Sequence, residues 1–95
     1  MSVVRINEFQ ALEARGDDLR EQLRSILPTI RQSEGCLSCQ LFESEAESLK
    51  FIIIETWTSH DAHRLAVIRI PSDELRRTMT LLADVPKGAF YKDIV

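Results

Sequence analysis

Residues Lys50 to Ala62 read KFIIIETWTSHDA. Phe51-Ile52-Ile53-Ile54 is an unbroken apolar run, followed by Glu55, Thr56 and Trp57. β-Branched and aromatic side chains suit a pleated backbone, so the stretch predicts a strand of about eight residues. Ser59 then offers an N-cap, and a helical pattern begins. A strand apolar on both faces is covered on both faces. Two or three short helices can cover one face of a small sheet, so something else must cover the other.

Upstream, Val3 to Leu12 reads as a first strand. Val4 and Ile6 share one row, and Asn7 and Phe9 the other. Ala14 to Asp17 is a turn. Asp18 and Glu21 have the spacing of a capping box, with Asp in place of Ser or Thr. Leu19, Leu23, Ile26, Leu27 and Ile30 fall on one helical face, which predicts a helix from about Asp17 to Ser33. Pro28 is expected to bend it, and Gly35 to stop it. Cys36 to Glu43 forms a second strand. The acidic turn Ser44 to Ser48 then joins it to the opening stretch as an antiparallel hairpin.

Downstream, Ala62, Leu65 and Ala66 share the inner face of a helix that Pro71 ends. Ser72 can cap another, with Leu75, Met79, Leu82 and Ala83 as its buried stripe. Pro86 and Gly88 break that helix, and Ala89 to Val95 reads as a last strand. The order is β-α-β-β-α-β, with the second helical region split at Pro71. This is the α+β ferredoxin-like arrangement, a four-stranded antiparallel sheet with helices on one face.

The 95 residues suit one domain, 1–95, with a marginal core that oligomerisation would help. Hydrophobic content of 44% and charged content of 28% fit a soluble globular protein. A net charge of −3 without a basic block argues against a nucleic-acid partner. No stretch approaches the roughly 20 apolar residues that span a bilayer. The N-terminal segment turns polar too early for a signal peptide. The two cysteines therefore suggest free thiols in a reducing cytoplasm.

Cys36 and Cys39 are formally CxxC, and His60 and His63 formally HxxH. Zinc is not expected, because strand positions three apart face opposite sides and the spacings miss the zinc-finger pattern. The three glycines are not clustered as a phosphate loop requires. Glu8, Glu43 and Glu55 lie on strands, where a buried carboxylate can act as a base. Arg77, beside Arg76 on the last helix, can reach an anionic substrate or simply be solvated.

Three segments together carry a resemblance. Glu34-Gly35-Cys36-Leu37-Ser38 joins helix to strand. Glu55-Thr56-Trp57-Thr58-Ser59 ends the central strand, with Ala62 five residues after the tryptophan. Phe90-Tyr91 lies in the last strand. The set resembles the antibiotic biosynthesis monooxygenase family over nearly the whole chain. The resemblance implies a dimeric α/β barrel, in which two sheets pack face to face as a homodimer. It further implies a small-molecule pocket between each sheet and its helices, and, in some members, oxidation of aromatic or quinol-like substrates with dioxygen and no cofactor. Other members degrade haem, handle small signalling molecules or have no known activity, so the fold licenses no specific reaction.

By this resemblance Trp57 lines the pocket as a flat apolar wall with one donor; it also suits the core at the strand–helix corner. His63 stands where cofactorless relatives can carry a tyrosine facing the substrate. A histidine there can take a phenolic proton. Ile53 stands where some oxygenases have asparagine, so one polar anchor is absent. Asn7 corresponds to an asparagine of haem-degrading relatives, but no histidine follows His63 to ligate iron. The expectation is a cofactor-independent monooxygenase with His63 and Trp57 as catalytic residues. Asn7, Ile53 and Arg77 are its substrate-binding residues. The alternatives are a binding protein of the same fold, or an isomerase or degrading enzyme for a small anionic metabolite.

Overall fold

A computed structural model describes residues 2–95. The order is β1 (Val3–Gln10), α1 (Gly16–Arg31), β2 (Cys36–Glu43), β3 (Lys50–Trp57), α2 (His60–Arg69), α3 (Ser72–Met79) and β4 (Lys87–Tyr91). The four strands form one antiparallel sheet in the order β2-β3-β1-β4. The ferredoxin-like reading holds, with the second helical region divided at Pro71.

β3 alternates as a central strand must. Phe51, Ile53, Glu55 and Trp57 are buried, whereas Ile52, Ile54 and Thr56 are half-buried. The buried row faces the helices and meets Leu19, Leu23, Leu27 and Ile30 of α1 in the core. The other row lies on the sheet face that carries no helix. Val4 and Ile6 of β1, Phe42 of β2 and Tyr91 of β4 share that open face by register.

Several local expectations are corrected. α1 starts at Gly16 without a side-chain cap, and Asp18 instead accepts a bond from Arg15 Nε at 2.7 Å. The capping box fails because the helix begins two residues before the proposed cap. As the predicted span requires, the helix contains Pro28, whose carbonyl accepts from the Gln32 amide at 3.0 Å. β4 is shorter than the predicted Ala89 to Val95. Its pairing with β1 covers only Lys87 to Tyr91.

The two cysteines do not face opposite sides. A β-bulge between Cys36 and Ser38 inserts an extra residue. Cys36 thereby lies opposite Trp57 and Cys39 opposite Glu55, both in the inner row. Burial and the neighbouring Glu55 charge push the Cys39 thiol up to about 12. Among the described residues, no group of three histidine, cysteine or acidic side chains is placed to hold a metal.

α2 starts as expected: the Ser59 hydroxyl accepts from the Ala62 amide at 3.1 Å. The expected apolar stripe on α3 is not buried. Leu75 is 43% exposed, Met79 is 48% exposed, and the helix ends before Leu82. The buried residue of α3 is Thr78, which accepts from Gln22 Nε2 of α1 at 3.3 Å. Gln22 also donates to Glu74 at 3.0 Å, so a polar tie seats α3 on α1. The apolar Leu75 and Met79 beside it stay about half-exposed and line a cavity.

Gly35 anchors the start of α2. Its φ is +86°, and a β-carbon there would meet Ala62 Cβ at 2.5 Å and Thr58 Oγ1 at 2.7 Å. Its carbonyl also accepts from the Thr58 amide at 2.8 Å. Gly35→Ala therefore combines a left-handed backbone with a collision, and should destabilise the fold by about 2 kcal/mol or more. Chemical denaturation will show this as a lower midpoint; an unchanged midpoint would refute the packing account.

Candidate functional site

The side chains between the sheet and α1, α2 and α3 enclose a cavity of about 290 Å³. Its apolar wall includes Ile26 and Ile30 from α1, Ile53 and Trp57 from β3, and Leu75 and Met79 from α3. Its polar edge is built from β1 and β3 together. Antiparallel pairing sets Arg5 opposite Glu55 and Asn7 opposite Ile53, all in the inner row. His63 reaches the same space from the second turn of α2.

Glu55 organises this edge. It is only 4% exposed. Trp57 Nε1 donates to its Oε1 at 2.8 Å, and Asn7 Nδ2 to its Oε2 at 3.4 Å. Asn7 Oδ1 in turn accepts from Arg5 Nε at 3.2 Å. An indole and a guanidinium can only donate, so they fix the direction of the chain. Asn7 relays it by accepting at one end and donating at the other. Burial raises the Glu55 pKa above the usual carboxylate value. The Trp57 bond, the Arg5 charge and the Asn7 bond each oppose that rise.

His63 stands at the aromatic side of the cavity. Its ring meets Trp57 edge-on, with centroids 5.6 Å apart, and Phe90 at 5.1 Å. Burial lowers its pKa below 6.5, and the charges of Arg5 and His60 lower it further. The imidazole is therefore neutral at pH 7 and ready to accept a proton. Phe90 carries the Arg5 guanidinium 4.6 Å above its ring centre.

Of the five residues singled out from sequence, Trp57, His63, Asn7 and Ile53 meet at this cavity. Arg77 does not. It lies on the outer side of α3, 61% exposed in its side chain, and pairs with Glu74 at 3.4 Å. Glu55 and Arg5 complete the edge. Glu55 carried a sequence signal, as an acid two residues before the tryptophan in the buried row. Arg5 carried none beyond its place in the same row as Asn7.

The sequence model of the antibiotic biosynthesis monooxygenase family matches residues 2–67. No curated protein sequence matches the chain. Among solved structures, the chain is similar to PA3566 from Pseudomonas aeruginosa, at 22% identity and a TM-score of 0.85, covering 99% of this chain and 95% of that one. It is similar to Rv0793 from Mycobacterium tuberculosis, at 20% identity and a TM-score of 0.88, covering 100% and 97%. A third is a variant of SnoaB, a cofactor-independent oxygenase from Streptomyces nogalater, at 17% identity and a TM-score of 0.84, covering 99% and 94%. At such identities these structures establish the shared fold alone. The family match spans more than half of the sequence, and the chain belongs to the antibiotic biosynthesis monooxygenase family.

Proposed function

We propose that the protein is a cofactor-independent monooxygenase acting on a small aromatic or quinol-like substrate held in this cavity. The observation that carries the reading is a neutral imidazole, His63, placed edge-on to Trp57 at the rim of a largely apolar chamber. Family membership supports it, as does the described activity of SnoaB.

A flat ring occupies the chamber beside Leu75 and Met79, over the buried Trp57 and Ile53, with its acidic hydroxyl or activated methylene toward His63. His63 takes the proton, leaving an electron-rich anion that can transfer an electron to dioxygen. A carbon–oxygen bond forms, giving a hydroperoxide. Cleavage of its O–O bond, with loss of the carbon-bound proton, yields a carbonyl and water. For a ring methylene the balance is CH2 plus O2 to C=O plus H2O. The substrate carbon supplies all the electrons, and the proton taken by His63 returns to the departing oxygen. Asn7 positions the substrate indirectly, by holding Glu55 and Arg5 at the edge.

The open sheet face supports a homodimer through that face. Val4, Ile6, Ile52 and Ile54 on it are only half-buried by their own chain. A second copy would cover them. Free thiols at Cys36 and Cys39 are in keeping with a reducing cytoplasm.

Oxygen uptake with hydroquinones and anthrones tests the activity. His63→Ala should lower kcat by about a hundredfold or more, the range of a lost general base. Trp57→Phe, which keeps an aromatic wall but frees Glu55 Oε1, should lower kcat less. Absence of uptake with every substrate would leave a binding role. Proton NMR should place the His63 midpoint below 6.5, and Arg5→Gln should raise it by removing a cation. A lowered folded pKa means fewer protons bound in the folded state than in the unfolded one. His63 therefore contributes a loss of stability as pH falls from above 6.5 through its folded value. Light scattering should give twice the mass of one chain for the wild type, and Ile54→Lys should yield monomer. A monomeric wild type would refute the dimer.

A further inference from the structure

We propose that Arg5 is an anion anchor in the cavity and that the natural substrate is an aromatic anion, bearing a carboxylate or an equally acidic oxygen beside its ring. The inference rests on the cavity being the substrate site, and it narrows the class of substrate that site accepts.

The first observation is an unused set of donors. Arg15, Arg20, Arg24, Arg64, Arg76 and Arg77 each lie within ion-pair distance of a carboxylate. Among the described residues Arg5 pairs with none, and neither do Arg31 and Arg69; Arg31 donates instead to the Cys39 carbonyl at 3.0 Å, and of the three only Arg5 lines the cavity. Its Nε donates to Asn7, and among the described residues its two terminal nitrogens have no acceptor. Arg5 itself is a residue of the cavity's polar edge. The nearby acid, Glu55, is already engaged by Trp57 and Asn7, one on each oxygen. It tempers the charge of Arg5 without occupying its donors. A guanidinium in this position presents a planar fork suited to two oxygens of one carboxylate.

The second observation is that the surroundings hold the fork in place. Phe90 stacks beneath the guanidinium, and Asn7 fixes its Nε. On β4, Gly88 lies opposite Asn7. A β-carbon at Gly88 would collide with Arg5 Nη2 and with Asn7 Oδ1. The strand thus lacks a side chain just where these two polar ends lie.

The chain has one tryptophan, Trp57, so its indole N–H gives one resonance that reports directly on the cavity. Titrating the protein with 2-naphthoate and with the neutral isostere 2-naphthamide, following that resonance, tests the proposal without any turnover. The wild type should bind naphthoate about tenfold more tightly than the amide, in line with a charge-assisted contact. Arg5→Gln should abolish the preference while leaving amide binding in place. Gly88→Ala, which displaces both polar ends yet keeps every charge, should reduce it. Equal binding of the two probes, failure of both to bind, or a preference surviving in Arg5→Gln would overturn the anchor. If Arg5→Gln does not fold, the wild-type comparison and Gly88→Ala still decide. Selective naphthoate binding without oxygen uptake would remove the monooxygenase reading and leave the anchor. Uptake without any preference would do the reverse.

Discussion

The molecule depends on the register between β1 and β3. Eight residues pair in sequence, from Val3 opposite Trp57 to Gln10 opposite Lys50. This one alignment decides what faces the helices. It sets Arg5, Asn7, Glu55 and Trp57 on the inner face, where their polar atoms find one another. It sets Ile6 opposite Ile54 on the outer face. A slip by one residue would turn every side chain of β3 over, exposing Trp57 at one end and turning Lys50 inward at the other. Such an error is opposed from both sides of the sheet, so the pairing is strongly specified.

Within that register, the buried carboxylate is held by competing forces. Desolvation favours its neutral form. Two donors and a nearby cation favour the ionised one. A buried polar chain of this kind is stabilising only when every member is satisfied, and among the described residues no buried side-chain nitrogen or oxygen lacks a partner. The arrangement also directs the edge of the cavity. Glu55 faces the protein's own donors, while Arg5 and His63 keep free valences for something else.

Much of this was legible in the sequence because it follows from short-range pattern. The Phe51-Ile52-Ile53-Ile54 run, the leucines of α1 and the Ser59 cap are local signals with one reading each. Trp57, Ile53, Asn7 and His63 converge as the strand rows and the helix start require. What escaped depends on single-residue irregularities and distant partners. The bulge before Ser38 adds one residue and reverses which way Cys36 points, and no pattern of side chains announces it. The α3 stripe looked like core because Leu75 and Met79 are spaced for it. The seat of α3 is instead made by Gln22, 56 residues before Thr78. Arg77 is engaged by Glu74 one turn before it on the same helix, at 3.4 Å. Arg5 stands on an ordinary strand row, and only the fold brings Glu55, Phe90 and the bare Gly88 around it.

The sparse seating of α2 and α3 bears on how a molecule gets in. Each helix contributes one buried residue, Ala66 and Thr78. The sheet and α1 hold most of the core. Elements with few buried contacts open locally at low free energy, well below that of global unfolding. Near Gly35 the start of α2 is pinned by backbone contact, so the helix pair swings more readily from its far end, at Pro71. The chamber therefore has a fixed floor and a yielding roof. Movement of a small molecule into or out of the cavity would then depend on that roof, with the sheet left undisturbed.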